Sequence, residues 1–276
     1  MWKVCKQASQ WWLALGITVM LLGCDEANQV KAAKASMAQI TPAEWQALSN
    51  RRVLFGHQSV GQNILEGIES LAAHAGVKLP VTKLQEPGSA NGGGIIHFFV
   101  GQNEDPASKL KDFAKTLEED KTKAADIALV KFCYIDFKEN SNAKALAEQY
   151  SSTLDRLSQQ FPNTHFVAVT APLTVVQTGP KAWIKRLLGR TPSGLADNLR
   201  RREFNDLIRT HYGQSGRLFD LAKIESQDSG SYEYENRPIE VLSPSFTYDD
   251  GHLNDQGKKV VATQLLKYLA SLSLKN

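Results

Sequence analysis

Cysteine is scarce in this chain: three in 276 residues, at positions 5, 24 and 133. Cys5 and Cys24 fall in an unusual N-terminal segment, so Cys133 is left without a partner, which excludes an intrachain disulfide framework. Cys133 itself lies in an apolar run and reads as a small buried hydrophobe. Net charge is also small. The 32 Lys and Arg against 29 Asp and Glu leave +3, and no basic cluster is interleaved with aromatics. A nucleic-acid partner therefore has no footing. No apolar run reaches the roughly 20 residues that a bilayer-spanning helix needs. There is no internal repeat and no His-x-x-x-His or Glu-rich signature, so neither a repeat array nor a metal site is indicated. No cofactor is expected.

What is present begins at the N-terminus. Lys3 and Lys6 give a positive start, and an apolar run from Trp11 to Leu22 follows. That length suits the core of a signal peptide. The run ends in Leu21-Leu22-Gly23-Cys24, which resembles a lipobox, where a small residue precedes the Cys that is acylated. The resemblance implies a signal peptide over residues 1–23 and a lipidated Cys24, making the chain a membrane-anchored lipoprotein of the cell envelope. Cleavage removes two Lys and no acid, so the formal charge falls from +3 to +1. Asp25 directly after Cys24 resembles the signal for retention at the inner membrane, facing the periplasm, in enteric-type bacteria. Residues 24–40, rich in Ala, Lys, Gln and Ser, read as a flexible tether.

Residues 41–276 read as a single α/β domain. Thr41-Pro42-Ala43-Glu44 has the pattern of a capping box with Pro at the first helical position. Val53-Leu54-Phe55 is a short apolar strand. Ile64, Ile68, Leu71 and Ala75 then recur on one helical face. Residues 77–84 fit an edge strand, because Pro80 suits no central one. Helices are expected over 107–120, 143–160, 194–212 and 255–272. Buried strands are expected at 127–134 and 165–170, with a short last strand near 217–221. Residues 88–94 and 226–247 read as surface loops. The β-α alternation implies a parallel sheet with helices on both faces, whose ligands bind beyond the carboxyl ends of the strands.

Three post-strand segments carry candidate chemistry. Gly56-His57-Gln58-Ser59 puts a Ser at a helix start, where backbone N–H groups and the helix dipole stabilise an oxyanion. A Ser there is also a common cap. Gly101-Gln102-Asn103 precedes the next helix; Gly101 permits close backbone approach, and Asn103 is either a turn residue or a donor to developing negative charge. Tyr248-Asp249-Asp250-Gly251-His252 offers one imidazole with two nearby carboxylates. A nucleophilic hydroxyl needs a base, and the base needs an acid to orient it. Ser59, His252 and Asp249 or Asp250 supply these types. His57 reads equally as a substrate-binding residue or as one that fixes the turn. Asp136 caps a helix or binds a neighbouring loop. Trp183, within the basic stretch 181–190, reads as part of a lid packed on the domain, with contact to substrate or membrane as alternatives.

Here the chain resembles the SGNH/GDSL hydrolase family. The carrying motif is Asp249-x-x-His252-Leu253-Asn254-x-x-Gly257 before the last helix. Ser59 after the first strand, Ala171-Pro172-Leu173 after a later one, and Asn205 within a helix fit the same layout. The first block has Gly56-His57-Gln58-Ser59 in place of Gly-Asp-Ser. Cys133-Tyr134-Ile135-Asp136 stands where the family carries Gly-x-Asn-Asp. The resemblance implies a three-layer flavodoxin-like α/β sheet and catalysis by Ser59, His252 and Asp249. Gly101, Asn103 and His57 are the candidates for oxyanion or substrate binding. The implied activity is hydrolysis of a small-molecule or glycan ester, such as O-acyl groups of an envelope polysaccharide. The alternative is a catalytically inactive binding or scaffold lipoprotein on the same fold.

Overall fold

The computed structural model describes residues 39–84, 93–119 and 125–274. The expected signal segment, Cys24, most of the expected tether and the greater part of the glycine-rich stretch 88–94 lie outside the described residues. Residues 40–276 form one compact unit. It contains the whole sheet and both of its cores.

The elements follow the sequence closely. Helix α1 (Pro42–Asn50) starts with the capping box: the Glu44 N–H donates to Thr41 Oγ1, and the Thr41 N–H donates to Glu44 Oε2. Strand β1 (Arg52–His57) leads into α2 (Ser59–Ala75). The short β2 (Val81–Lys83) and β3 (Gly94–Phe99) precede α3 (Pro106–Glu118). Strand β4 (Ile127–Val130), α4 (Ala143–Gln160) and β5 (His165–Val169) continue the alternation. Helices α5 (Gly179–Leu187) and α6 (Leu195–Tyr212) come before β6 (Leu218–Phe219) and the short α7 (Leu221–Glu225). A hairpin of β7 (Tyr232–Tyr234) and β8 (Arg237–Ile239) precedes the last helix, α8 (Asp255–Ser271).

The six main strands pair in the order β2-β3-β1-β4-β5-β6, every pair parallel. Without the edge strand β2, this is the flavodoxin-like order, whose direction of winding reverses at β1. Strand side chains alternate between the faces. Val53, Phe55, Ile127, Leu129, Val167 and Val169 pack with α1, α2 and α8. Leu54, Ala128, Val130, Phe166 and Ala168 pack with α3, α4 and α6. The architecture is thus three layers, helix–sheet–helix, as expected. The reversal opens a crevice at the carboxyl ends of β1 and β4, the strands followed by Ser59 and Tyr134.

Two sequence expectations are corrected. Gly94–Phe99 is a strand inside the sheet, beside β1. Its glycine-rich approach looks like turn chemistry, and His97 interrupts its apolar run, so periodicity alone does not reveal it. Residues 226–247 are not simply a surface loop. They hold the β7–β8 hairpin, and Ile239 and Val241 pack on Val176, Leu195 and Leu199 as a satellite core.

Candidate active site

The last helix and the first strand's helix run side by side from the same end. Asn63 Oδ1 accepts the Leu253 N–H at 3.2 Å. Farther along, Lys258 pairs with Glu66 at 2.9 Å. Gly67 lies so close to α8 that a Cβ there would come within 2.5 Å of the Lys258 carbonyl. The two helices are therefore parallel, with their N-termini together. Ser59 stands one turn above Asn63 on the same helical face, and His252 directly precedes Leu253. The fold thus brings to one sheet edge two segments nearly two hundred positions apart.

His252 is held by Asp249. Asp249 Oδ1 accepts the His252 N–H at 2.7 Å and the Gly251 N–H at 3.2 Å, while Oδ2 accepts from His252 Nδ1 at 2.7 Å. A carboxylate only accepts, so Nδ1 is the donor, and in the neutral imidazole Nε2 carries the lone pair. Partial burial raises the Asp249 carboxyl, but the hydrogen bonds from His252 and Gly251 outweigh it and hold the group below its ordinary value. Asp250, the other carboxylate considered, sits at φ +76° in the turn. The imidazole is partly open to solvent, with 27% of the side chain exposed.

Tyr134, the residue that sequence reasoning missed, completes this arrangement. Its ring meets the His252 ring edge to face at 5.6 Å, and its hydroxyl lies 3.5 Å from His252 Nε2. A Cβ on Gly251 would come within 2.9 Å of the ring. The Tyr134 carbonyl accepts from the Arg201 guanidinium at 2.9 and 3.1 Å. Burial, then the nearby Asp249 carboxylate, raises the phenol. The sequence expectation carries Tyr134 as the end of a strand over 127–134 and as part of the Cys133–Asp136 block, whereas the strand ends at Val130 and Tyr134 opens the turn beyond it. A cavity of about 380 Å³ opens beside it, walled by Thr174, Gly194, Arg201, Asp249 and Gly251. Ser59 is not part of that wall.

Ser59 is half-buried and occupies the first position of α2. The cap position belongs to Gln58, so Ser59 does not cap. Gln58 instead donates Nε2 to the carbonyls of Val100 and Gly101 at 2.8 and 3.1 Å, tying the Ser59 turn to the loop after β3. Among the described residues, no hydrogen bond joins Ser59 to the His252 ring. The Gly61 N–H donates to the Gln58 carbonyl at 2.7 Å; helix geometry leaves the Ser59 and Val60 N–H groups without intrahelical acceptors, and no acid lies in the first turn of α2. The positive end of the helix is therefore unneutralised where Ser59 sits.

The remaining candidates divide. His57 is completely buried. Its Nε2 lies 3.0 Å from His97 Nδ1, and a Cβ on Gly61 would come within 2.3 Å of its own Cβ. Burial, with help from the Lys131 ammonium, pulls the imidazole down to about 3. So placed, His57 fixes the turn beneath Ser59 and does not meet a ligand from solvent, which corrects its reading as a substrate-binding residue. The Gly101 N–H is already donated to Asp112 at 3.0 Å. Gly101, at φ +45°, builds the turn against Ser108 and Lys109. Asn103 is exposed, and its Oδ1 accepts from Lys109 Nζ at 3.3 Å. Asp136 binds the loop after β3. It accepts from the Glu104 and Cys133 N–H groups at 2.9 and 2.7 Å, and forms a fully buried pair with Lys109 at 2.6 Å. Asn205 clasps the Ala171 backbone from both sides, at 2.7 and 3.1 Å.

No protein-family model matches the chain, and no curated protein matches it significantly in sequence. Solved structures with a similar layout do exist. A member of the lipolytic G-D-S-L family from Veillonella parvula is 11% identical, covering 80% of this chain and 98% of its own, with a TM-score of 0.47. A psychrotrophic esterase from Pseudoalteromonas is 9% identical over 79% of this chain and 96% of its own, with a TM-score of 0.43. A peptidoglycan O-acetylesterase is 14% identical over 64% of this chain and 46% of its own, with a TM-score of 0.41.

Proposed function

We propose that this chain is a serine ester hydrolase, with Ser59 as nucleophile, His252 as general base and Asp249 as the orienting acid. The reading is carried by the Asp249–His252 pair: a ring orientation fixed by a 2.7 Å bond, a partly exposed imidazole whose Nε2 meets only the Tyr134 hydroxyl at 3.5 Å, and a helix N-terminus bearing Ser59 at the same sheet edge. Ser59 Oγ would attack the acyl carbonyl carbon as its proton passes to His252 Nε2. The alcohol leaves with that proton. Water then attacks the acyl-enzyme, giving a proton to His252; collapse returns it to Ser59 and frees the acid. For the first step, His252 Nε2 exchanges its 3.5 Å contact with Tyr134 for one with Ser59. The Ser59 and Val60 N–H groups at the start of α2 and the Asn103 amide are the proposed oxyanion donors. The substrate class proposed is an O-acyl ester, of the kind carried by an envelope glycan. The domain would be tethered through Cys24 to the inner membrane, facing the periplasm.

Turnover of a chromogenic short-chain ester tests the reading. Ser59→Ala and His252→Ala should each lose roughly 10³-fold or more in kcat, and a fluorophosphonate should label wild type at Ser59. Equal turnover by wild type and Ser59→Ala would reject the assignment. A second reading, a binding protein without catalysis, draws on the Tyr134 hydroxyl standing where a nucleophile would meet Nε2. Binding of an acetylated glycan with neither turnover nor labelling would favour it.

A further inference from the structure

Among the described residues, seven large apolar side chains are well exposed, and four of them are neighbours: Trp183 (64%), Ile184 (49%), Leu187 (70%) and Leu188 (65%). All four belong to α5 or its immediate end. This corrects the expectation of a lid packed on the domain, since only Ala182 of this helix is buried. At about 100° per residue, the four apolar positions span an arc of roughly 140°. Ala182 falls nearly opposite the middle of that arc. The helix therefore rests on the domain through Ala182 and turns its apolar side straight outward.

The charges on this segment are all of one sign. Lys181 and Lys185 flank one edge of the apolar arc and Arg186 the other, with Arg190 just beyond; no acid occurs from 179 to 194. The hairpin brings Glu233 and Glu235 to the far wall of a groove facing Arg186 and Arg190, but Glu235 is paired with Arg237 at 3.0 Å. Lys185 donates to Ser193 at 2.8 Å, and the Gln177 N–H donates to the Ser193 carbonyl at 3.0 Å, closing the base of the segment. Gln177 and Ser193 also line the cavity beside Tyr134. At nine residues, α5 is too short to cross a bilayer. An outward apolar arc with Trp and Leu, edged by Lys and Arg, suits a helix lying in a membrane interface.

We propose that α5 is a docking surface for an anionic phospholipid bilayer, and that it seats the mouth of the cavity beside the lipid headgroups. The four like charges choose this occupant over a second copy of the same helix, which would meet them with its own. The inference does not rest on the hydrolase reading or on lipidation of Cys24.

Residues 40–276, which lack the N-terminal apolar run, are sedimented with vesicles of phosphatidylglycerol and phosphatidylethanolamine, and with vesicles of phosphatidylcholine alone. Binding to the anionic vesicles is expected, weakening in high salt. Trp183→Ser with Leu187→Ser, and separately Lys181→Glu with Arg186→Glu, should each weaken it roughly tenfold or more. Hydrolysis of a soluble ester should be unchanged in both variants. Absence of wild-type binding to the anionic vesicles would overturn the proposal, as would equal binding by the variants. So would a concentration-dependent dimer that the Trp183 and Leu187 changes abolish, because the occupant would then be a second copy.

Discussion

Protonation at the site is governed by single residues. Asp249 fixes the His252 tautomer through one 2.7 Å bond, and Asp249→Asn would offer Nδ1 a side chain able to donate as well as accept. His57, a strand residue below, has the opposite character: it is buried, neutral and held near His97. Its folded value of about 3 lies below the ordinary 6.5, so the unfolded chain takes up a proton that the folded chain refuses. Stability must then fall as pH drops from about 6.5 toward 3, by up to roughly 1.4 kcal/mol per pH unit for one proton. His57→Gln is expected to flatten that acid limb in urea unfolding at pH 7, 5 and 4. An unchanged slope would show that His57 does not titrate as its burial requires.

At the scale of elements, β1 and α2 are packed tightly around the Ser59 turn. Gly56 lies against Phe113 and Val100, Gly61 presses on His57, and Gly67 on α8, each with less room than a Cβ needs. Gly61→Ala should therefore cost about 1–3 kcal/mol in chemical denaturation, or more if the strand end cannot shift. It should also reduce ester turnover by displacing the Ser59 turn. The partner loops are fastened by the Lys109–Asp136 pair, whose two side chains are fully buried. At the other end of the sheet, Arg51 donates to the carbonyls of Leu269, Ala270 and Leu272, satisfying the C-terminus of α8. Helix α2 and the loop leading into α8, which hold the candidate residues, are thus joined through Asn63, and α8 is pinned at its far end through Arg51.

For the whole molecule, the two proposed membrane attachments are tested separately. The lipobox resemblance predicts one attachment at Cys24, and the proposed docking of α5 would add a second. Two attachments give firmer membrane residence than one. Cys24→Ser in the full chain is expected to abolish incorporation of labelled palmitate and to release the protein from the membrane fraction in high salt. Retained labelling would refute lipidation at that cysteine.

Local chemistry made much of this legible. The α1 capping box needs only residues 41–44, and the apolar runs of β1, β4 and β5 announce buried parallel strands because both faces are covered. The motif Asp249-x-x-His252 carries its own hydrogen bond within three residues, so its geometry could be read from spacing. The sequence by itself therefore determined the layer plan, the capped start of α1 and the Asp249–His252 contact, since each depends on neighbours along the chain. Tertiary structure alone decided the strand hidden behind glycines at 94–99, the burial of His57, the Gly101 N–H given to Asp112, and Tyr134 against His252. Those depend on which distant segments share one sheet edge, and no local periodicity records contacts that only packing creates.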